Sequence, residues 1–163
     1  MKENTLRITF STCSGKEELP EKDAMLMNAA MEACRNAYAP YSGFKVGAAL
    51  LMDDGTIIKG SNQENAAYPS GLCAERVAFF HAGSACPGKK IIAVAISAVL
   101  NNHHQPHPVS PCGDCRQVMA EFEHRYGYPI RIIMMTEKDQ YVILNSVKAL
   151  LPFLFSSDSL KEK

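Results

Sequence analysis

The stretch that decides how this chain is read is Pro111-Cys112-Gly113-Asp114-Cys115-Arg116-Gln117, taken together with Cys73-Ala74-Glu75-Arg76 upstream of it. Cys112 and Cys115 have the Cys-x-x-Cys spacing with which two thiolates grip one zinc ion, and Cys73, 39 positions before Cys112, supplies a third. Three protein ligands leave a tetrahedral ion one position short. That open position holds water in a catalytic site, whereas a structural zinc is closed by four ligands. Glu75 stands two residues past Cys73, close enough to reach such a water without being a ligand, as a general acid/base must be. A lone Cys-x-x-Cys also occurs in redox pairs and in half of a zinc knuckle. A redox pair has no need of Cys73-x-Glu75, and a closed site wants a fourth Cys or His at comparable spacing, which is not evident. His81, eight residues past Cys73, lies about 12 Å away along a helix and cannot easily join the same ion.

Both stretches open helices. Tyr68-Pro69-Ser70-Gly71 is a turn, and the helix after it is expected to start at Leu72 or Cys73 and to end at His81 or Ala82, before Gly83, with Val77, Phe79 and Phe80 on its buried face. Pro111 precedes the second start, where Val118, Met119 and Phe122 have helical spacing. A thiolate at a helix N-terminus is stabilised by free N–H groups and the dipole, which prepares it for metal. An earlier helix is predicted from near Pro20, with Leu26, Ala30, Ala33 and Ala37 on one face and Pro40 stopping the run.

Strands are predicted over Phe44–Met52 and 56–61, joined by the turn residues Asp53-Asp54-Gly55. The almost continuously apolar run 90–96 reads as a central strand covered on both faces. The segment 101–108, with His103, His104 and His107, reads as a polar loop. Further strands are expected at 130–135 and 141–145, linked by Glu137-Lys138-Asp139, with Ser146 capping a short helix that ends at Pro152. Strands interleaved with helices define an α/β layered sandwich. Residues 1–19 form an extension, either an edge strand built on Leu6-Arg7-Ile8-Thr9-Phe10 or a flexible arm, ahead of one domain over 20–163.

A chain of 163 residues with 47% apolar composition supports one sizeable core. Its 17 basic and 17 acidic residues cancel, so no global field favours a nucleic acid, and a small or neutral substrate is expected. No run of about 18 apolar residues occurs, so neither membrane span nor signal peptide is expected, and the chain reads as cytoplasmic. Cys13, Cys34 and Cys86 read as free thiols in a reducing compartment.

The chain resembles the small zinc-dependent cytidine deaminases from about Pro20 to its C-terminus. Besides both zinc stretches, the resemblance rests on Tyr38-Ala39-Pro40-Tyr41-Ser42, on Phe44-Lys45-Val46-Gly47-Ala48-Ala49-Leu50, on Asn62-Gln63-Glu64-Asn65-Ala66-Ala67-Tyr68, and on Leu150-Leu151-Pro152. Zinc deaminases with three cysteine ligands and a non-ligand Glu form a recognised pattern. The resemblance implies a three-layer α/β/α sandwich with a five-stranded mixed sheet, and one zinc per chain held by Cys73, Cys112 and Cys115. It implies that Phe44 lies against the pyrimidine, and that Asn62 and Glu64 hold the ribose, Glu64 at the 3′-hydroxyl. Ala66 and Tyr68 become sugar contacts reaching into a neighbouring subunit, and the N–H of Ala74 a donor to O2 of the base. Phe155, in Leu-Pro-x-x-Phe, enters another subunit's site; this contact presumes a homotetramer, with a homodimer as the alternative.

Zinc with three thiolates and a neutral water carries a charge of 2 − 3 = −1, so nearby positive groups are required. The two helix N-termini and Arg76 are candidates, with Arg116 a weaker one, and the resemblance favours Arg76 on the thiolates. The implied reaction is hydrolytic deamination of cytidine and 2′-deoxycytidine in pyrimidine salvage, by zinc-bound hydroxide at C4 with Glu75 carrying the proton. A deaminase of a nucleoside antibiotic such as blasticidin S keeps the same zinc motifs, but Asn62 to Tyr68 match the ribose-binding pattern. A polynucleotide editor runs against the balanced charge. A non-catalytic zinc-stapled module predicts a fourth ligand and no catalytic carboxylate.

Overall fold

The computed structural model describes residues 1–101, 103–105, 107–136 and 140–160. Its strands are β1 (Ser11–Cys13), β2 (Phe44–Met52), β3 (Ile57–Ser61), β4 (Ile91–Leu100), β5 (His103–His104), β6 (Arg131–Met135) and β7 (Tyr141–Leu144). The helices are α1 (Glu21–Cys34), α2 (Ala74–Ala85) and α3 (Gly113–Tyr126). The strands form one mixed sheet in the order β1-β7-β6-β4-β2-β3, with β5 bonded to the end of β4. Only β4 and β6 run parallel among the described strands, and α3 makes the crossover between them.

Alternation along each strand builds two apolar layers. Ala48 and Leu50 of β2, Val94 and Ile96 of β4, and Ile132 of β6 pack on one face with Ala78 and Phe79 of α2 and Met119 of α3. Ala49, Ala93, Ala95 and Ile133 face the other way, against Leu26, Met27 and Ala30 of α1. The result is the expected α/β/α sandwich. Small residues let the helices approach closely: a Cβ at Gly60 of β3 would meet the backbone of α2, at 2.5 Å from Ala74 O and 2.6 Å from Ala78 N.

Among the described residues the sheet has seven strands where five were expected. The two additions are short: β5 falls where a polar loop was read, and β1 follows the run Leu6–Phe10 instead of coinciding with it. β1 is fixed by antiparallel pairing with β7, in the register Ser11↔Ile143, a distant partner that alternation within 6–10 cannot report. The helix α1 stops at Cys34, so Ala37 lies beyond it. The helix α2 continues through Gly83 to Ala85; a side chain at Gly83 would press on the Phe122 ring at 3.1 Å, so the glycine serves packing and not termination. Phe79 is fully buried but its neighbour Phe80 is 49% exposed, since adjacent residues are about 100° apart around a helix. The Glu137-Lys138-Asp139 link lies outside the described residues. No described helix is long and apolar enough to cross a membrane.

Candidate metal centre and active site

Cys73 is the N-cap of α2 and Cys112 the N-cap of α3, while Cys115 lies in the first turn of α3. Neither N-cap side chain accepts a capping hydrogen bond, so both helix starts direct uncapped N–H groups and the positive dipole end toward sulfur. The Sγ atoms of Cys73 and Cys112 are 3.6 Å apart, those of Cys112 and Cys115 are 3.4 Å apart, and all three lie within 4.8 Å of one another. A tetrahedral zinc with Zn–S bonds of about 2.3 Å separates its sulfurs by about 3.8 Å, so the cluster fits one such ion. The Cys115 thiol and then the Arg76 guanidinium draw the Cys73 thiol well below its ordinary range, toward the thiolate a metal needs.

Glu75 is buried in the first turn of α2 beside this cluster. Burial pushes its carboxyl above the usual range and the Cys73 thiolate adds to the effect, while the Cys115 thiol opposes it by donating to the carboxylate. A carboxyl so placed can hold or release a proton next to the sulfurs. Arg76 Nη2 is 3.9 Å from Cys73 Sγ. Arg116 points elsewhere, its three guanidinium nitrogens donating to Pro111 O, Leu150 O and Ser110 Oγ at 2.8, 3.0 and 3.0 Å.

A cleft of about 380 Å³ opens beside Cys73 and Arg76 and is lined by Asn62, Glu64 and Tyr68 among others. Glu64 accepts from the Ser42 hydroxyl and from Tyr41 N, the latter at 2.9 Å, and these contacts, Ser42 foremost, hold its carboxyl below the usual range. The side-chain amide of Asn62 is engaged at both ends with β2: Oδ1 accepts from Val46 N at 2.7 Å and Nδ2 donates to Phe44 O at 2.9 Å. Phe44 is half-buried at the start of β2 and packs against the core layer of α2 and α3. Ala74 is buried at the first position of α2. Ala66 and Tyr68 are exposed, and Tyr68 packs edge-on against Tyr41 at 6.1 Å. Phe155 is 59% exposed and is not among the residues that line the cleft, and its carbonyl accepts from Gln117 Nε2 at 2.8 Å.

Three contacts lay outside the sequence reading. Tyr41 and Ser42 orient Glu64, Asp114 pairs with Arg76 at 3.7 Å, and Gln117 holds the C-terminal segment. Asp114 carried a usable signal, an acid in a helix first turn inside the cysteine motif.

Three sulfurs at two helix starts with a buried, non-ligating carboxyl beside them define a zinc-dependent hydrolase site on an α/β/α fold. Residues 20–128 match the family model for the cytidine and deoxycytidylate deaminase zinc-binding region. The chain belongs to this family, whose members hydrolyse C–N bonds with zinc. It is 53% identical over 97 residues to a cytidine deaminase of Halalkalibacterium halodurans, covering 60% of this chain and 69% of that protein. It is 44% identical over 129 residues to one of Sporosarcina psychrophila, covering 79% and 88%. The solved cytidine deaminase of Burkholderia pseudomallei superposes with a TM-score of 0.67 at 41% identity, over 80% of this chain and 97% of that one. The Mycobacterium tuberculosis enzyme gives 0.61 at 33% identity, over 80% and 94%.

Proposed function

We propose that this enzyme converts cytidine and 2′-deoxycytidine to uridine and 2′-deoxyuridine with release of ammonia, in cytoplasmic pyrimidine salvage. The observation that supports this reading most is the buried Glu75 carboxyl set beside three convergent thiols. A zinc ion held by Cys73, Cys112 and Cys115 would supply the Lewis acid that makes water nucleophilic at neutral pH. Glu75 takes the proton that water gives up, delivers it to N3 of the pyrimidine, and then assists departure of the 4-amino group as ammonia. Its place suits both duties, since it is buried beside the three sulfurs without belonging to the cluster that would hold the ion. Arg76 and the two helix starts offset the negative charge of three thiolates.

Substrate roles follow the same reading. Phe44 stacks on the base, and the Ala74 N–H donates to O2. Glu64 accepts from the 3′-hydroxyl with Asn62 beside it, although the Asn62 amide already clamps β2 and serves first to hold Phe44 in place. Ala66, Tyr68 and Phe155 act across subunit boundaries in a homotetramer; their exposure in the single chain suits that role.

The test is an ultraviolet assay with cytidine, deoxycytidine, cytidine monophosphate and blasticidin S, with zinc quantified on the same sample. Turnover of both nucleosides with one zinc per chain is expected. Turnover of blasticidin S alone, or zinc without turnover of any of the four, would overturn it.

A further inference from the structure

Pro111 and Cys112 are held from two sides by one residue. The backbone N–H of Arg116 donates to Cys112 O at 3.0 Å, continuing the first turn of α3, while its side chain folds back so that Nε donates to Pro111 O at 2.8 Å. The other two nitrogens of the planar fork reach out of the motif, Nη2 to Ser110 Oγ and Nη1 to Leu150 O, each at 3.0 Å. Leu150 caps the short turn Val147–Ala149, which α3 also grips further along its length. There the buried Glu123 accepts from Val147 N and Ile130 N at 2.9 Å and from Ser146 Oγ at 2.6 Å. Arg116 and Glu123 are seven residues apart, two helical turns, and so share one face of α3. The metal loop is thereby fastened to a turn that is itself rigidly held.

We infer that Arg116 is a positioning residue for the metal centre, fixing Cys112 and Cys115 in chelating geometry by tying the loop before Cys112 to the Leu150 turn. The inference rests on the zinc site proposed above. It assigns Arg116 a role through geometry and not through charge, because none of its guanidinium nitrogens is directed at a sulfur. Three separate nitrogens of one plane each meet their own acceptor; a lysine keeps the charge but offers all its donors from one nitrogen and cannot reproduce that spread.

The experiment compares zinc release to a chromophoric chelator from the wild-type holoenzyme and from Arg116→Lys, with circular dichroism to confirm folding. The thiolate-to-cobalt charge-transfer spectrum of the cobalt-substituted proteins is recorded alongside. Arg116→Lys should release zinc about 10-fold to 100-fold faster, the range typical of lost outer contacts to metal ligands, and its charge-transfer bands should shift or weaken. Wild-type release and spectrum in a folded Arg116→Lys protein would overturn the inference, since a retained charge would then suffice. If Arg116→Lys fails to fold, Ser110→Ala removes one acceptor of the fork and should speed release about threefold; an unchanged rate there would overturn it equally. Neither readout requires turnover. A wild-type chain that holds no zinc refutes the zinc site itself, whereas a zinc-bound wild type matched by its variant refutes only the role of Arg116.

Discussion

Arg76 Nη1 stands 3.7 Å from Asp114 Oδ2, an ion pair that joins the first turn of α2 to the first turn of α3. The same guanidinium reaches Cys73 Sγ through Nη2. The two contacts differ in worth because the Asp114 side chain is 77% exposed and its partner only 21%. A pair open to solvent on one side contributes at most about 1 kcal/mol. Asp114→Asn should therefore leave zinc affinity within about fivefold of wild type, whereas Arg76→Ala, which strips a donor from a thiolate, should lower it about 10-fold to 100-fold. Competitive chelator titration of both variants checks this, and equal losses would show that Asp114 sets the Arg76 position.

Glu75→Gln keeps the volume and burial of the side chain and removes its ability to carry a proton. Turnover of cytidine should fall by about 10² to 10⁴, the usual contribution of a general acid/base, with zinc content unchanged. A variant that loses zinc, or one that keeps near-normal turnover, would take the proton-carrying role away from Glu75.

Gly60→Ala probes how α2 is seated. The added methyl meets backbone atoms of α2 at Ala74 and Ala78, which cannot rotate away as a side chain would. Stability should drop by about 1 to 3 kcal/mol in urea unfolding. Because Ala74 and Glu75 ride on the displaced turn, kcat should fall as well; a destabilised protein with unchanged kcat would show that the helix start is independent of this contact.

Asp23 supplies a pH test. It is buried in the first turn of α1 with Arg131 Nη2 at 2.7 Å, and burial raises its carboxyl above the ordinary value in spite of that cation. A raised folded-state value means that the native protein binds this proton more tightly than the unfolded chain. The contribution is thus fully present below the unfolded value near pH 4 and is lost as pH rises through the raised folded value. The stability difference between wild type and Asp23→Asn should shift against wild type between about pH 4 and neutrality. Urea unfolding at both ends of that range measures it, and a shift in favour of wild type would mean that Arg131 outweighs burial.

Local pattern carried much of this molecule. The bounds of β2 were legible residue for residue in the apolar run Phe44–Met52, and the sulfur cluster was legible because cysteine spacing at helix starts is itself the geometry. What escaped was set by distant partners. Asn62 looked like a free polar group beside Glu64, yet its amide is taken by backbone atoms of Phe44 and Val46, 18 and 16 positions away. Gly83 looked like a stop because a glycine near a helix end usually is one, and only the Phe122 ring on another helix explains it. The fork of Arg116 was read as charge, since no local signal announces a carbonyl at Leu150, 34 positions downstream.

The separation of Cys73 from Cys112 by 39 positions has a consequence for how the protein is born. Between them runs β4, flanked in the sheet by β2 and β6. While the ribosome has delivered only the first half of the chain, a single member of the cluster exists and grips metal weakly. The second and third arrive with α3, and the Leu150 anchor later still. Free metal therefore meets no complete set of three sulfurs until β2, β3 and β4 have all been made, and the chelate first forms on a chain that still lacks β6.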